Sequence, residues 1–186
     1  MTELLIAEPA HRRDLALFGE RLVRLDPDAV IRLRVRADGT VAAWALTPLG
    51  VLACRLVAAE ISPADVTLGA RDISLGQDGP PMDFAWRGAL PPEEGFVHVD
   101  DVPAAVLLSL QESQALEVTD GTTTVTVPTT CAQTLTALGF LPDPAPLQEV
   151  VRVRATRTWL RVDARFGSVF LRQNGELTID AAAMSR

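Results

Sequence analysis

Val30-Ile-Arg-Leu-Arg-Val-Arg36-Ala-Asp38-Gly39-Thr40-Val-Ala-Ala-Trp-Ala-Leu46 is the stretch that decides the fold class. Its first half alternates without a break, with Ile31, Leu33 and Val35 on one face and Arg32, Arg34 and Arg36 on the other, because successive strand side chains point to opposite sides. Such a strand belongs to an antiparallel sheet with one face packed and the other toward water. Asp38-Gly39 supplies the turn of a tight hairpin, and Thr40 to Leu46 returns as its partner. Pro48 and Gly50 turn the chain again, and Val51 to Ala58 makes a third, more buried strand.

Upstream, Pro9 to Leu25 carries Leu15, Phe18, Leu22 and Leu25 along one helical stripe, and Asp26-Pro27-Asp28 stops the helix. Downstream, Val66 to Leu75 fits a weak strand or a short helix. Gly76 to Gly95 then holds four prolines and four glycines in 20 residues, too many for regular structure. Residues 76–99 therefore form a connector, which Phe84, Trp86 and Phe96 are expected to tie down against the folded body. A second helix is expected from Asp100 or Asp101 to Ala115, capped by the aspartate, with Pro103 in its first turn. Thr124 to Val127 is a strand, and Thr129 to Leu138 a helix closed by Gly139.

Glu149 to Ala155 alternates as a strand with Arg152 and Arg154 on one face. Trp159 to Arg172 fits both periods at its start; the reading taken is a short helix to Phe166, stopped by Gly167. Ser168 to Arg172 and Glu176 to Asp180 form a hairpin around Asn174-Gly175. The resulting expectation is α+β: antiparallel meanders and hairpins packed against three to four helices. Residues 1–75 and 100–186 make two halves of similar size, within one compact domain or as two.

Composition narrows the chemistry. All 17 basic residues among 186 are arginines, there is no tyrosine, and the two histidines are His11 and His98. This removes Schiff-base lysines, the P-loop lysine and a tyrosine acid. Exclusive arginine also fits a GC-rich bacterial genome. The net charge of −7 repels polyanions, which makes nucleic acid an improbable partner. The apolar run Leu4 to Ala7 is shorter than a signal-peptide core of roughly 7–15 residues, and no run matches a membrane span, so the expected location is the cytoplasm. Cys54 and Cys131 stand alone and are expected as buried reduced thiols.

No C-x-x-C, H-E-x-x-H or G-x-G-x-x-G motif occurs, and no metal or cofactor is expected. Asp72-Ile-Ser74-Leu-Gly76 approaches a nucleophile elbow but has Asp where the sharp turn needs glycine, so Ser74 is an ordinary serine. His98 lies in Phe96-Val-His-Val-Asp-Asp101; an extended backbone would put Phe96, His98 and Asp100 on one face, where the acid orients the imidazole. The competing reading makes Asp100 or Asp101 a helix cap. Arg32, Arg34 and Arg36 project at about 6.6–6.8 Å intervals, the spacing of anions on a polymer, and Arg152 and Arg154 extend the row if the two strands are neighbours. Against this stands the plain solvated face of an antiparallel sheet.

With 48% hydrophobic residues and few catalytic groups, the leading expectation is a non-catalytic intracellular interaction or assembly module, self-associating through a sheet face or the Trp86 connector. The alternative is a small enzyme or a small-molecule or anion-binding protein, with a pocket where the halves meet, near Trp86, Arg87 and His98. A DNA-binding regulator is the weakest reading, since neither helix flanking Thr124 to Val127 has a basic face.

Overall fold

The computed structural model describes residues 2–110, 114–142 and 144–173, which fall into two compact units, 1–89 and 90–186. In the first, β1 (Glu3–Leu5) leads into α1 (Pro9–Leu25), then β2 (Val30–Val35), β3 (Val41–Leu46) and β4 (Leu52–Val57). β5 (Glu60–Ser62), β6 (Asp65–Gly69) and α2 (Ala70–Ser74) follow, then a single 3₁₀ turn, Asp83–Ala85. The strands run β6-β2-β3-β4, all antiparallel, while β1 and β5 pair as a separate ribbon.

The second unit contains β7 (Val97–Pro103), α3 (Ala104–Leu108), β8 (Ala115–Thr119), β9 (Thr124–Pro128) and α4 (Thr129–Ala137). β10 (Val150–Ala155), β11 (Trp159–Ala164) and β12 (Gly167–Arg172) complete it. Its order is β12-β11-β10-β7, again antiparallel, with β8 and β9 as a hairpin of their own. The architecture is α+β and built of two similar halves. β1-α1-β2-β3-β4 recurs as β9-α4-β10-β11-β12, and the strand added beside β2 or β10 runs straight into a five-residue helix in each case. The echo reaches the sequence at one place: β2 reads VIRLRV and β10 reads VVRVRA.

α1 buries Leu15, Phe18 and Leu22, each about 1.5–3 kcal/mol of transfer energy. The inner sheet face supplies Ile31, Leu33, Val66 and Leu68, all fully buried. Arg55 of β4 shares that face and reaches Asp14 of α1 at 2.7 Å, so a charge inside the layer is paired. Gly19 lets the helices meet: a Cβ there would sit 2.7 Å from the Ala70 carbonyl oxygen. In the second unit α4 buries Cys131, Ala132 and Leu135. Gly139, at φ +61°, ends that helix, and the Phe140 N–H returns to the Leu135 carbonyl at 2.8 Å.

The first helix, the meander after it and the helix from Thr129 stand where the sequence places them. The helix expected from Asp100 or Asp101 to Ala115 does not. That stretch is β7 followed by the five-residue α3, with residues 111–113 outside the described set. β7 carries a bulge, since Val153 faces Asp100 and Arg154 faces His98, leaving Val99 unopposed. Val99 and Val102 are consequently both buried at a spacing of three, which imitates a helical period. Trp159 to Ala164 is likewise a strand, paired with β10 on one side and β12 on the other. Sheet pairing overrides its mixed pattern.

The outer face of the first sheet is also more covered than alternation implies. Ala42, Trp44 and Cys54, on the face of Arg32 and Arg34, are buried. The turn and second strand expected around Asn174-Gly175 lie outside the described residues. Among the described residues no helix is long and apolar enough to cross a membrane.

Candidate functional site

Each arginine row is built by an Arg-x-Arg strand lying against an acid on the neighbouring edge strand. In the first unit Arg32 makes a two-pronged contact with Asp65 of β6, Nε to Oδ1 at 2.7 Å and Nη2 to Oδ2 at 2.8 Å, and Arg34 stands 3.9 Å from the same carboxylate. In the second, Arg152 grips Asp101 of β7 in the same way, at 2.8 and 3.0 Å. Arg36 pairs with Asp38 in the hairpin turn, and Arg154 lies 3.6 Å from Asp163, which Arg161 also contacts. The rows do not extend one another: β2 has β3 and β6 as neighbours, and β10 has β11 and β7.

The guanidinium hydrogen bonds hold the Asp65 carboxyl below its ordinary range, with desolvation opposing and Arg34 adding a smaller pull. Arg152 first, then His98, hold the Asp101 carboxyl far below the ordinary range. Both arginines are raised in turn, Arg32 by Asp65 and Arg152 by Asp101. The rows are therefore arrays of ion pairs, with two basic groups for each of Asp65 and Asp163.

His98 is half exposed, and its Nε2 lies 3.0 Å from Asp101. Asp100 is not its partner: the bulge turns Asp101 to the imidazole, and the Asp100 carboxylate accepts the Asp101 N–H at 2.8 Å. Ser74 donates its hydroxyl to the Arg71 carbonyl, and His11 accepts the Ala58 N–H. Cys54 and Cys131 are buried thiols outside any disulfide, and burial pushes the Cys131 thiol up to about 12. No group of three or more His, Cys, Asp or Glu able to hold a metal occurs among the described residues.

The connector gathers the remaining sequence candidates. Met82 donates its N–H to the Thr67 carbonyl at 2.7 Å, and the Asp83 carboxylate accepts the Thr67 N–H at 2.7 Å, so the segment closes the open edge of β6. Trp86 lies over Arg32 with the guanidinium carbon 5.7 Å from the ring centre, and its indole N–H reaches the Gly88 carbonyl. Arg87 donates to the Phe84 carbonyl at 2.6 Å. Phe96 packs edge-on against Phe170, with Arg161 over both rings. Phe84 differs from the other two aromatics. Its carbonyl is bound by Arg87 and the two residues before it are tied to Thr67, yet the residue is 75% exposed.

A half-open cleft of about 1040 Å³ lies in the first unit, between β1, α1, the β2–β3 turn, β5 and the residues after α2. It contains none of the residues the sequence nominated. Its signal was the apolar run Leu4 to Ala7, whose neighbours across the cleft are distant in sequence.

Residues 1–88 match the family model described as a domain of unknown function, DUF8010, and residues 109–176 match another, DUF8185. No curated protein matches the sequence. The fold is that of sliding clamps. A putative DNA polymerase III beta subunit from Eubacterium rectale aligns at TM-score 0.56 and 12% identity, over 98% of this chain and 68% of that one. DNA polymerase sliding clamps from Bacillus subtilis (TM-score 0.54, 13% identity, 100% and 68% covered) and Caulobacter crescentus (0.56, 12%, 100% and 69%) align similarly.

Proposed function

We propose that the chain is a non-catalytic assembly module that associates with a second copy of itself through the connector around Phe84. The carrying observation is that residue: a large aromatic left in water, its carbonyl bound by Arg87 and the preceding Met82 and Asp83 tied to Thr67. A pre-organised anchor loses little conformational freedom when a partner covers it, and buried aromatics dominate interface energy. Leu46 and Leu49, 42% and 39% exposed, belong to the same unit, and the connector passes Leu46 at Gly88. The relatives in fold, described as polymerase subunits and clamps, are parts of assemblies, which agrees with this reading.

The predicted site residues take supporting roles here. Arg32 and Trp86 hold the connector, Arg87 holds the Phe84 carbonyl, the paired arginines Arg34, Arg36, Arg152 and Arg154, with His98, keep the outer sheet faces polar, and Asp100 accepts the Asp101 N–H at the bulge. Light scattering on the eluting protein tests the idea. Wild type is expected at twice the 20.0 kDa chain mass, and Phe84→Asp at the chain mass with a cooperative melting transition that shows it is folded. A single-chain mass for wild type at all concentrations overturns the proposal.

A further inference from the structure

The cleft in the first unit is unused by this function, and its chemistry is lopsided. The floor is apolar, from Leu4, Ile6, Leu15 and Ile73, and Leu5 lies in it with 55% of its surface exposed. The rim carries Asp38, Glu60 and Asp78 against one cation, Arg12, whose Nη2 is committed to the Ile6 carbonyl at 2.7 Å. Asp38 is paired with Arg36. Glu60 and Asp78 therefore leave the rim acidic.

Its backbone is as informative. Among the described residues β1 pairs with β5 alone, and its second edge lies toward Asp78, which lines the cleft. The Leu4 N–H donates to the Asp78 carboxylate there, at 3.3 Å, long for a hydrogen bond and easily exchanged. An open strand edge beside an apolar floor is the arrangement that accepts an added strand: main-chain hydrogen bonds supply affinity, and alternate side chains enter pockets.

We propose that this cleft binds an extended segment of another protein in which apolar residues alternate with Lys or Arg. The segment adds to the free edge of β1, sets its apolar side chains on the face of Leu4 and Ile6 beside Ile73, and turns its cations to the opposite face, where Glu60 stands across from Leu5, and to Asp78 at the edge. The net charge of −7 also favours a cationic partner during approach.

The probe is a fluorescein-labelled peptide, Lys-Leu-Lys-Val-Lys-Leu, followed by anisotropy against the full chain. Its comparators are Glu-Leu-Glu-Val-Glu-Leu and the same-composition peptide Lys-Lys-Lys-Leu-Val-Leu. Saturable binding of the first peptide alone is expected. Leu4→Gln and the double variant Glu60→Gln, Asp78→Asn should each weaken it about tenfold or more. Asp120→Asn, an acid outside the cleft, should change it by less than about twofold. Melting curves confirm that each variant is folded. Equal binding of the comparators, unchanged binding by the cleft variants, or no saturable binding overturns the proposal. Phe84→Asp should bind the peptide like wild type, so self-association and this site stand or fall separately.

Discussion

Asp65 and Asp101 each hold an arginine through both carboxylate oxygens, and each has a carboxyl lowered by that contact. A carboxyl that is more acidic in the folded chain than in the unfolded one stabilises the fold above its unfolded value, about 3.9. That contribution is lost as the pH falls through the lower folded value, so the affected window lies below about pH 4. Melting temperatures from about pH 5 to about pH 2 should accordingly fall less steeply for Asp65→Asn and Asp101→Asn than for wild type. Parallel curves would show that the pairs do not persist in solution. Cys131, pushed up to about 12, is almost wholly a thiol at pH 8. Only on the order of one molecule in ten thousand is a thiolate there, so iodoacetamide should label Cys131 only after denaturation, as peptide mass spectrometry would show. The arginine alternation was legible from the sequence because strand geometry forces it. The partner acids were not, for Arg32 and Asp65 are 33 residues apart and Arg152 and Asp101 are 51 apart.

Among the elements, two glycines mark close approaches. Gly19 stands where a Cβ would press on the Ala70 carbonyl and the Ser74 nitrogen of α2, and Gly167 where it would meet the buried Phe140 ring at 2.6 Å. Gly19→Ala and Gly167→Ala should each cost about 1–3 kcal/mol, read as a lower urea midpoint with an unchanged slope. An unaffected midpoint would mean that the neighbouring element gives way freely. Asp14→Ala leaves the Arg55 guanidinium unpaired on the inner face, for which about 1.5–3 kcal/mol is expected by the same measurement. Elements with an unmixed period were read correctly: α1 has one stripe and β2 alternates strictly. β7 was misread because its bulge spaces Val99 and Val102 like a helix, and β11 because strand and helix periods both fit Trp159 to Phe166.

For the molecule as a whole, the sign of the charge matters more than the number of arginines. The net charge of −7 repels a phosphate backbone at long range, and among the described residues the sheet arginines Arg32 and Arg152 are paired to acids. No retardation of duplex DNA is expected in a gel-shift at about 50 mM salt, where phosphate contacts are strongest. A salt-dependent shift at micromolar protein would refute that expectation. The sequence alone determined the α+β class, the antiparallel meander, α1 and the depletion of catalytic groups, because composition and short periods are local properties. Only the tertiary structure decided that the arginines are locked to acids, that Asp101 rather than Asp100 meets His98, that Phe84 stays in water while Trp86 is packed, and that a cleft opens beside β1. Those outcomes depend on strand order, register and a bulge, which bring together residues that no local pattern connects.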